Sequence, residues 1–243
     1  MEEPQVFSVQ NFSEKEIKFS DIKQKTQTKR TKRKKFNIIS LYSSNNKYPV
    51  YIQTNKLFCY GIQKYSEEDE NNGYYCNISL SDEKNVEGKQ LINLINNVRK
   101  TCIDYIYKNR IICGFKEETL KEYIENIFKD NIYTAKEGVP ILGLKLIGNI
   151  KKIYSKFYDC KIPLNEGNEK LGEIDPLKYF DKYFYMITLL GIDSLYITTT
   201  EIRLNINLTE AVVYEVTKRE YKRLIRVFPV ENDDIKDDGK DEE

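Results

Sequence analysis

Apolar and polar residues alternate in several short stretches of the chain, which is the pattern of β-strands that bury one face. The clearest stretch runs from Tyr74 to Ser81, and a second one runs from Glu201 to Leu208. In the first, one face carries Tyr74, Cys76, Ile78 and Leu80, and the other carries Tyr75, Asn77, Ser79 and Ser81. One-sided burial of this kind is typical of antiparallel sheets, which pack one face on a core and leave the other in water.

Further strands are predicted where β-branched and aromatic residues crowd together between polar turns. They cover residues 36–42, 48–65, 194–200 and 211–217. One or two more lie between Gly138 and Pro163, with glycine breaks at Gly143 and Gly148. The sheet is therefore expected to be built from strands in the first third and the last half of the chain.

Apolar residues at three-to-four spacing predict a long helix from Glu87 to Asn109 and a shorter one from Glu117 to Lys129. Asp175 followed by Pro176 fits the N-cap and the first turn of a third, short helix. An antiparallel sheet rolled into a small barrel, with helices inserted between its strands, accounts for this order of elements. We therefore predict a mainly β chain of the α+β class, with an OB-fold-like antiparallel barrel.

Both ends of the chain are dominated by polar and charged residues. Neither end holds enough apolar surface to offset the entropy lost on ordering it. We predict a disordered basic arm over residues 1–35, one barrel domain over residues 36–230, and a disordered acidic tail over residues 231–243.

The residue types argue against an enzyme. The chain has no histidine, which removes the commonest general base and the commonest metal ligand. Its five cysteines are widely spaced and include no C-x-x-C pair, so neither a disulfide scaffold nor a zinc site is expected. We predict no catalytic residues, no metal and no cofactor. A nuclease that uses carboxylates alone is the weakest alternative, because no spaced cluster of acids follows the predicted strands.

Composition also bears on where the protein works. Hydrophobic residues make up 40% of the chain and charged residues 32%, which suits a domain with a core of its own. No run approaches the roughly eighteen apolar residues of a membrane-spanning helix, and the N-terminus MEEPQVFSVQ lacks the features of a secretory signal. An intracellular protein without membrane contact is therefore expected.

Charge is distributed unevenly, although the total is only +1. Residues 231–243 hold eight acids and two lysines, so the rest of the chain carries +7. Residues 22–66 hold eleven Lys or Arg residues and no acid. The densest basic cluster is Lys29, Arg30, Lys32, Arg33, Lys34 and Lys35. This cluster is predicted to contact nucleic-acid phosphates, with a nuclear-import signal or a merely solvated terminus as the alternatives.

Aromatic and basic residues are interleaved along the predicted strands. Such a face suits a single-stranded nucleic acid, because bases stack on rings and phosphates pair with ammonium groups. The predicted stacking residues are Tyr51, Phe58, Tyr60 and Tyr75, and the predicted phosphate contacts are Lys56, Lys64, Lys116, Lys145, Lys151, Lys152, Lys156 and Arg203. Half-buried strands favour tyrosine in any protein, so plain sheet packing is the alternative, and Phe58 and Tyr60 could instead point into the core.

The segment VYIQTNKLFCYGIQKY, residues 50–65, resembles a tract of the form VYVQTPKL, followed by a glycine-containing segment, in a known family. That family is the single-stranded-DNA-binding proteins of large nucleocytoplasmic DNA viruses, which are related to those of short-tailed phages. The resemblance continues through GYYCNISLS, the long helix, and the strands from Met186 to Val216. It implies an OB-fold that binds single-stranded DNA. It also implies a role in viral replication, recombination and repair, at replication sites in the host cytoplasm or nucleus.

The resemblance further implies that the acidic tail docks replication proteins and competes with DNA for the basic groove. Charge alone supports the competition, because carboxylates on a flexible segment imitate a string of phosphates. The tail residues concerned are Asp233, Asp234, Asp237, Asp238, Asp241, Glu242 and Glu243. An acidic terminus that only aids solubility is the alternative.

The leading hypothesis is therefore a sequence-independent single-stranded-DNA-binding protein. Its rival is a non-enzymatic scaffolding or structural protein that binds other proteins through its charged termini. Binding of an oligonucleotide would separate the two, because a scaffold has no reason to keep a nucleic-acid groove. The sequence leaves homo-oligomerisation open.

Overall fold

The structure, a computed structural model, describes residues 3–29, 32–44, 47–65, 73–80, 86–135, 138–160 and 172–217. The strands in these ranges are β1 (Val6–Ser8), β2 (Ile17–Phe19), β3 (Lys23–Lys29), β4 (Lys32–Ser43), β5 (Val50–Gln53), β6 (Leu57–Lys64), β7 (Tyr74–Ser79), β8 (Ile132–Thr134), β9 (Pro140–Leu146), β10 (Lys156–Asp159), β11 (Glu173–Ile174), β12 (Tyr183–Ile197) and β13 (Ile202–Thr217). The helices are α1 (Val86–Lys108) and α2 (Lys121–Ile127), and short 3-10 turns cover Glu14–Glu16 and Pro176–Tyr179.

Strands β6, β7, β9, β13 and β12 close a barrel, because β12 at one end of this order pairs again with β6. All neighbours in the barrel are antiparallel except β9 and β13, which are parallel at Lys145 and Leu146. Along the chain, α1 and α2 lie between the second and the third barrel strand. The predicted OB-fold-like barrel with inserted helices is confirmed.

The core lies inside the barrel and under α1. On β7, Cys76 and Ile78 are fully buried, whereas Tyr75, Asn77 and Ser79 are half-buried on the other side, as their alternation predicts. The apolar stripe of α1 packs into the same core through Leu91, Leu94, Ile95, Val98, Cys102, Ile103 and Ile106. Burial of apolar surface is the main favourable term in folding, so both patterns contribute directly to the stability of the domain.

The first turn of α1 lies unusually close to the strand that precedes it. A Cβ atom at Gly88 would collide with the main-chain carbonyl oxygen of Leu80. Beside it, Glu87 is buried and its Oε1 accepts a hydrogen bond from the Asn55 main-chain N–H, at 2.6 Å. The helix can therefore reach the sheet only with glycine at position 88.

The described part of residues 1–35 differs from the predicted disorder, because it is paired into the sheet. Strand β1 runs parallel to β5, and β2 and β3 both pair with β4. The apolar residues Phe7, Val9 and Ile17 are buried and anchor the segment. Strands β3 and β4 form a basic hairpin, which we define as residues 23–36, and the domain begins well before residue 36.

Two other elements differ from their predicted extent. Helix α2 is shorter than predicted, since residues 109–120 form turns in which Arg110 Nε donates to the Glu117 carbonyl, at 2.7 Å. Strand β12 is longer than predicted and takes in the apolar run after the 3-10 turn. That turn begins as predicted, with Asp175 Oδ1 accepting from the Leu177 N–H, at 2.9 Å. Within the described ranges, no helix is long and apolar enough to cross a membrane.

Candidate nucleic-acid interface

One row of side chains crosses four neighbouring strands on the outside of the barrel. Gln63 on β6 lies opposite Tyr75 on β7, and Tyr75 lies opposite Lys145 on β9. Lys145 in turn lies opposite Asn207 on β13. Directly opposite residues of paired strands share a face, and the neighbouring Cys76 points into the core. The row therefore brings a ring, an ammonium group and two amides together on the outer surface.

A groove of about 540 Å³ lies at the end of this row that carries Lys145 and Asn207. Its lining residues are Tyr65, Lys129, Asp130, Asn131, Gly143, Lys145, Arg203, Leu204, Asn205, Ile206 and Asn207. At one side, the ring of Tyr65 packs on the ring of Tyr75 with centroids 4.6 Å apart. The groove thus combines an aromatic border with the positive charges of Lys129, Lys145 and Arg203.

A third tyrosine, Tyr133 on β8, borders the groove above Gly143. A Cβ at Gly143 would be 3.8 Å from a ring carbon of Tyr133. Desolvation raises the pKa of Tyr133, and it raises the pKa of Tyr65 to about 12 while the Arg203 guanidinium acts in the opposite direction. Both phenols are therefore neutral at physiological pH, and each offers a ring and a hydroxyl donor to a ligand.

Two asparagines in the groove are oriented by hydrogen bonds to β12. Asn207 Nδ2 donates to the Asp193 carboxylate, at 2.7 Å, and Asn205 Nδ2 donates to the Ser194 hydroxyl, at 2.9 Å. Ser194 gives its own proton to Asp193, at 2.6 Å, so it can only accept from Asn205. Burial raises the pKa of Asp193, whereas these donors and Lys145 act to lower it. The network holds both amides in fixed orientations on the wall of the groove.

The acidic residues at the groove each have a basic or amide partner. Asp130 Oδ1 is 3.4 Å from Arg99 Nε, and Glu201 accepts from Arg203 Nε. Across the described ranges, no group of three or more His, Cys, Asp or Glu residues is placed to hold a metal ion. Asp130 and Glu201 therefore affect the electrostatic potential at the groove but do not form a metal site with other described residues.

Beside the groove lies an aromatic patch, formed by Phe58, Tyr60, Tyr183, Tyr185 and Tyr214. Neighbouring rings of β6 and β12 meet edge to face with centroids 5.1–5.9 Å apart. The ammonium group of Lys56 is 5.2 Å from the centre of the Tyr185 ring and 5.5 Å from that of Tyr214. Phe58 and Tyr60 are half-buried on the outer side, so the alternative in which they point into the core is wrong.

Lys64 is a predicted phosphate contact, but the structure places it on the opposite face of the sheet from the predicted one. Alternation from Phe58 and Tyr60 predicts it on the outer side, but the register of β6 shifts between Cys59 and Ile62. Gly61, with φ of 91°, lies in this bulge. Lys64 consequently pairs with Tyr74 on the inward-facing side, and Tyr65 takes the outer position next to Tyr75.

Two other predicted contacts lie outside the groove lining. Tyr51 lies on β5, next to Gly191 of β12. A Cβ at Gly191 would be 3.5 Å from the Tyr51 ring, so the ring covers this glycine. Lys116 lies in the connection between the helices, with its Nζ 3.7 Å from Glu118 Oε1. Tyr51 nevertheless lies in line with the outward row, because Gly191 lies opposite Tyr51 on one side and opposite Asn207 on the other. Lys116 does not lie in this row.

The predicted basic residues of the segment 147–156 form a separate exposed surface. Asn149 Oδ1 accepts from the main-chain N–H groups of Lys151 and Lys152, and the Lys152 ammonium is 4.9 Å from the centre of the exposed Tyr154 ring. The loop is held against the start of β7, because a Cβ at Gly73 would be 3.1 Å from the Gly148 carbonyl oxygen. Lys156 is exposed on β10.

The predicted accessory arm is only partly described. Lys29, Lys32, Arg33, Lys34 and Lys35 belong to β3 and β4, and Lys35 is exposed. Arg30 and all the predicted regulatory residues of the acidic tail lie outside the described residues. Their roles stay predictions.

Sequence reasoning missed several residues that the fold brings to the interface. Tyr65, Tyr133 and Lys129 line or border the groove, and Tyr183 and Tyr185 supply two of the five rings of the aromatic patch. In the run YFYMITLLG the two tyrosines alternate with Phe184 and Met186, and this alternation is the signal that could have identified the last two, since burial alternates in the same way. The residues around position 129 carry no such signal, because they reach the groove through the long-range contact between Lys129 N–H and the Ile202 carbonyl, at 2.8 Å.

Comparisons with known proteins identify similar structures but no family. No protein-family model matches the chain, and no curated protein matches it. The single-stranded DNA-binding protein from bacteriophage Enc34 is similar with a TM-score of 0.45 and 10% identity, over 76% of this chain and 90% of that one. Its complex with single-stranded DNA gives 0.43 and 11%, over 75% and 92%. Its C-terminal truncation gives 0.43 and 11%, over 75% and 91%.

Proposed function

We propose that this protein binds single-stranded DNA in the groove, without regard to base sequence. The observation that carries the proposal is the outward row in which Tyr75 and Lys145 stand directly opposite each other on β7 and β9. A ring beside an ammonium group matches the alternation of base and phosphate along one strand. In an OB-fold, the face formed by the second and third barrel strands is the usual oligonucleotide surface, and β7 and β9 occupy these positions.

The bases stack on the Tyr65 and Tyr75 pair, and the phosphates contact Lys145, Arg203 and Lys129. Unpaired bases are needed, because the rings of a duplex are already stacked on one another and are not available to tyrosine. The oriented amides of Asn205 and Asn207 add hydrogen-bonding groups along the same wall. The aromatic patch extends this surface, because Phe58 and Tyr60 lie on β6, the strand that pairs with β7.

Salt dependence tests the electrostatic part of this function. We expect binding of a fluorescently labelled oligo-dT, measured by anisotropy, to weaken steeply as salt is raised. Lys145→Ala should weaken binding and reduce the slope of log K against log salt by about 0.7, the value for one phosphate contact on a single strand. The matched control is Lys108→Ala, an exposed lysine at the end of α1, which should leave the slope unchanged. Failure of the unaltered protein to bind would favour the scaffold hypothesis.

The finer parts of the hypothesis concern biological context and the tail. We propose that the protein acts in viral DNA replication, recombination and repair, where exposed single-stranded DNA is bound and protected. We further propose that the acidic tail competes with DNA for the groove and docks replication proteins when DNA displaces it. A chain that ends at Val230 should then bind oligo-dT more tightly than the full chain at low salt, and equally at high salt. Equal affinities at low salt would contradict the competition.

A further inference from the structure

A second row of paired residues links the groove to the basic hairpin. Arg203 on β13 lies opposite Tyr196 on β12, Tyr196 lies opposite Ile38 on β4, and Ile38 lies opposite Lys23 on β3. Paired residues share one face of a sheet, and Arg203 lines the groove. Lys23 therefore lies on the same sheet face as the groove, three strand spacings or about 14 Å from Arg203.

An aromatic pair occupies the space between Arg203 and the lysines. Phe36, two residues from Ile38 and thus on the same face, has its ring 4.7 Å from the ring of Tyr196. Lys25 lies directly opposite Phe36 and is exposed, as is Lys23. The groove's combination of rings beside cations is therefore repeated at the base of the hairpin.

The hairpin register separates its basic residues into two sets. In the pairing of β3 with β4, the main-chain positions 29, 32 and 34, all lysines, alternate in step with Lys25 and Phe36. Lys35 pairs with Thr26, one position away from the pair of Lys25 and Phe36, so it faces the opposite side of the sheet. Lys23 and Lys25 therefore lie on the face that continues the groove, and Lys35 lies on the reverse face.

We propose that the face of the hairpin that carries Lys23, Lys25 and Phe36 is a second binding surface for single-stranded DNA, continuous with the groove. DNA that leaves the groove at Arg203 stacks a base on the Phe36 and Tyr196 pair, and its phosphates then contact Lys25 and Lys23. This proposal rests on the function proposed for the groove. It assigns the hairpin the role of binding the part of the DNA strand that extends beyond the barrel.

The test compares a short and a long ligand. An oligo-dT of about 6 nucleotides fits within the range of a single OB-fold site, whereas one of about 30 nucleotides extends past it. For the long oligonucleotide, we expect Lys25→Glu to weaken binding about 5- to 10-fold at low salt and to reduce the salt slope by about 0.7. Binding of the short oligonucleotide should not change. The matched control is Lys35→Glu, which reverses an exposed charge on the other face. The proposal removes Lys35 from the predicted phosphate contacts, so this variant should alter binding of either ligand less than about twofold.

The Phe36→Leu variant separates stacking from charge. Leucine keeps apolar volume next to Tyr196 but loses the aromatic face, so binding of the long oligonucleotide should weaken and binding of the short one should not. Equal losses for Lys25→Glu and Lys35→Glu would overturn the assignment of one face, and unchanged binding of the long oligonucleotide by Lys25→Glu would overturn the proposal. If the unaltered protein bound neither oligonucleotide, the proposed function itself would fail.

Discussion

Replacing Tyr75 with alanine is expected to weaken the binding of single-stranded DNA by about 5- to 150-fold. Tyr75 is the ring of the outward row, and Tyr65 packs on it, so its loss removes one stacking surface and releases the other. A stacked base contributes about 1–3 kcal/mol by alanine substitution, which corresponds to that range of dissociation constants. Anisotropy titration of a labelled oligo-dT at fixed salt measures the change.

Two variants establish what the tyrosine contributes. Tyr75→Phe keeps the ring and should bind nearly as tightly as the unaltered protein. Tyr107→Ala removes a similarly half-buried tyrosine from α1 and should affect stability but not affinity. Normal affinity in Tyr75→Ala, with the protein still folded, would show that bases do not stack at this position.

The largest expected effect on stability comes from Gly88→Ala. The added Cβ would collide with the Leu80 carbonyl oxygen, so α1 must move away from the sheet or the strand must shift. Overpacking of a core commonly costs 1–3 kcal/mol, and a clash with main-chain atoms belongs at the upper end, so we expect the free energy of unfolding to fall by about 3 kcal/mol. Urea denaturation followed by circular dichroism gives this value.

The neighbouring Lys89 supplies the control, because its side chain is exposed on the same turn of α1. Lys89→Ala should change the free energy of unfolding by less than about 0.5 kcal/mol. If Gly88→Ala were as stable as the unaltered protein, the start of α1 would be free to move, and its close approach to β7 would not constrain the fold.

The elements that the sequence predicted well are those specified by local patterns. The stripe of α1 and the alternation of β7 depend only on residues a few positions apart, and both are confirmed. Strand β3, KQKTQTK, has no apolar residue, so no local pattern marks it as a strand. It is a strand because its main chain pairs with β4, and this pairing is invisible in composition.

The candidate groove could be predicted in part for the same reason. Tyr75 and Lys145 were identified from interleaved aromatic and basic residues, and the register places them opposite each other. Lys64 and Tyr65 exchange faces because a single bulge at Gly61 reverses the alternation beyond it. Lys129 depends on a contact with Ile202 on β13, 73 residues later in the sequence. Such tertiary contacts cannot be inferred from spacing.

Strand β12 pairs with β4, β5, β6 and β13, so one stretch of fifteen residues holds the barrel, the N-terminal strands and the base of the hairpin together. The four strands that pair with β12 consequently belong to one cooperative folding unit, and none of the four can detach while β12 keeps its hydrogen bonds. The far end of the hairpin pairs with no strand other than its own partner among the described residues, so it can open locally. Tension along a bound DNA strand would therefore pass through β12 to the whole barrel.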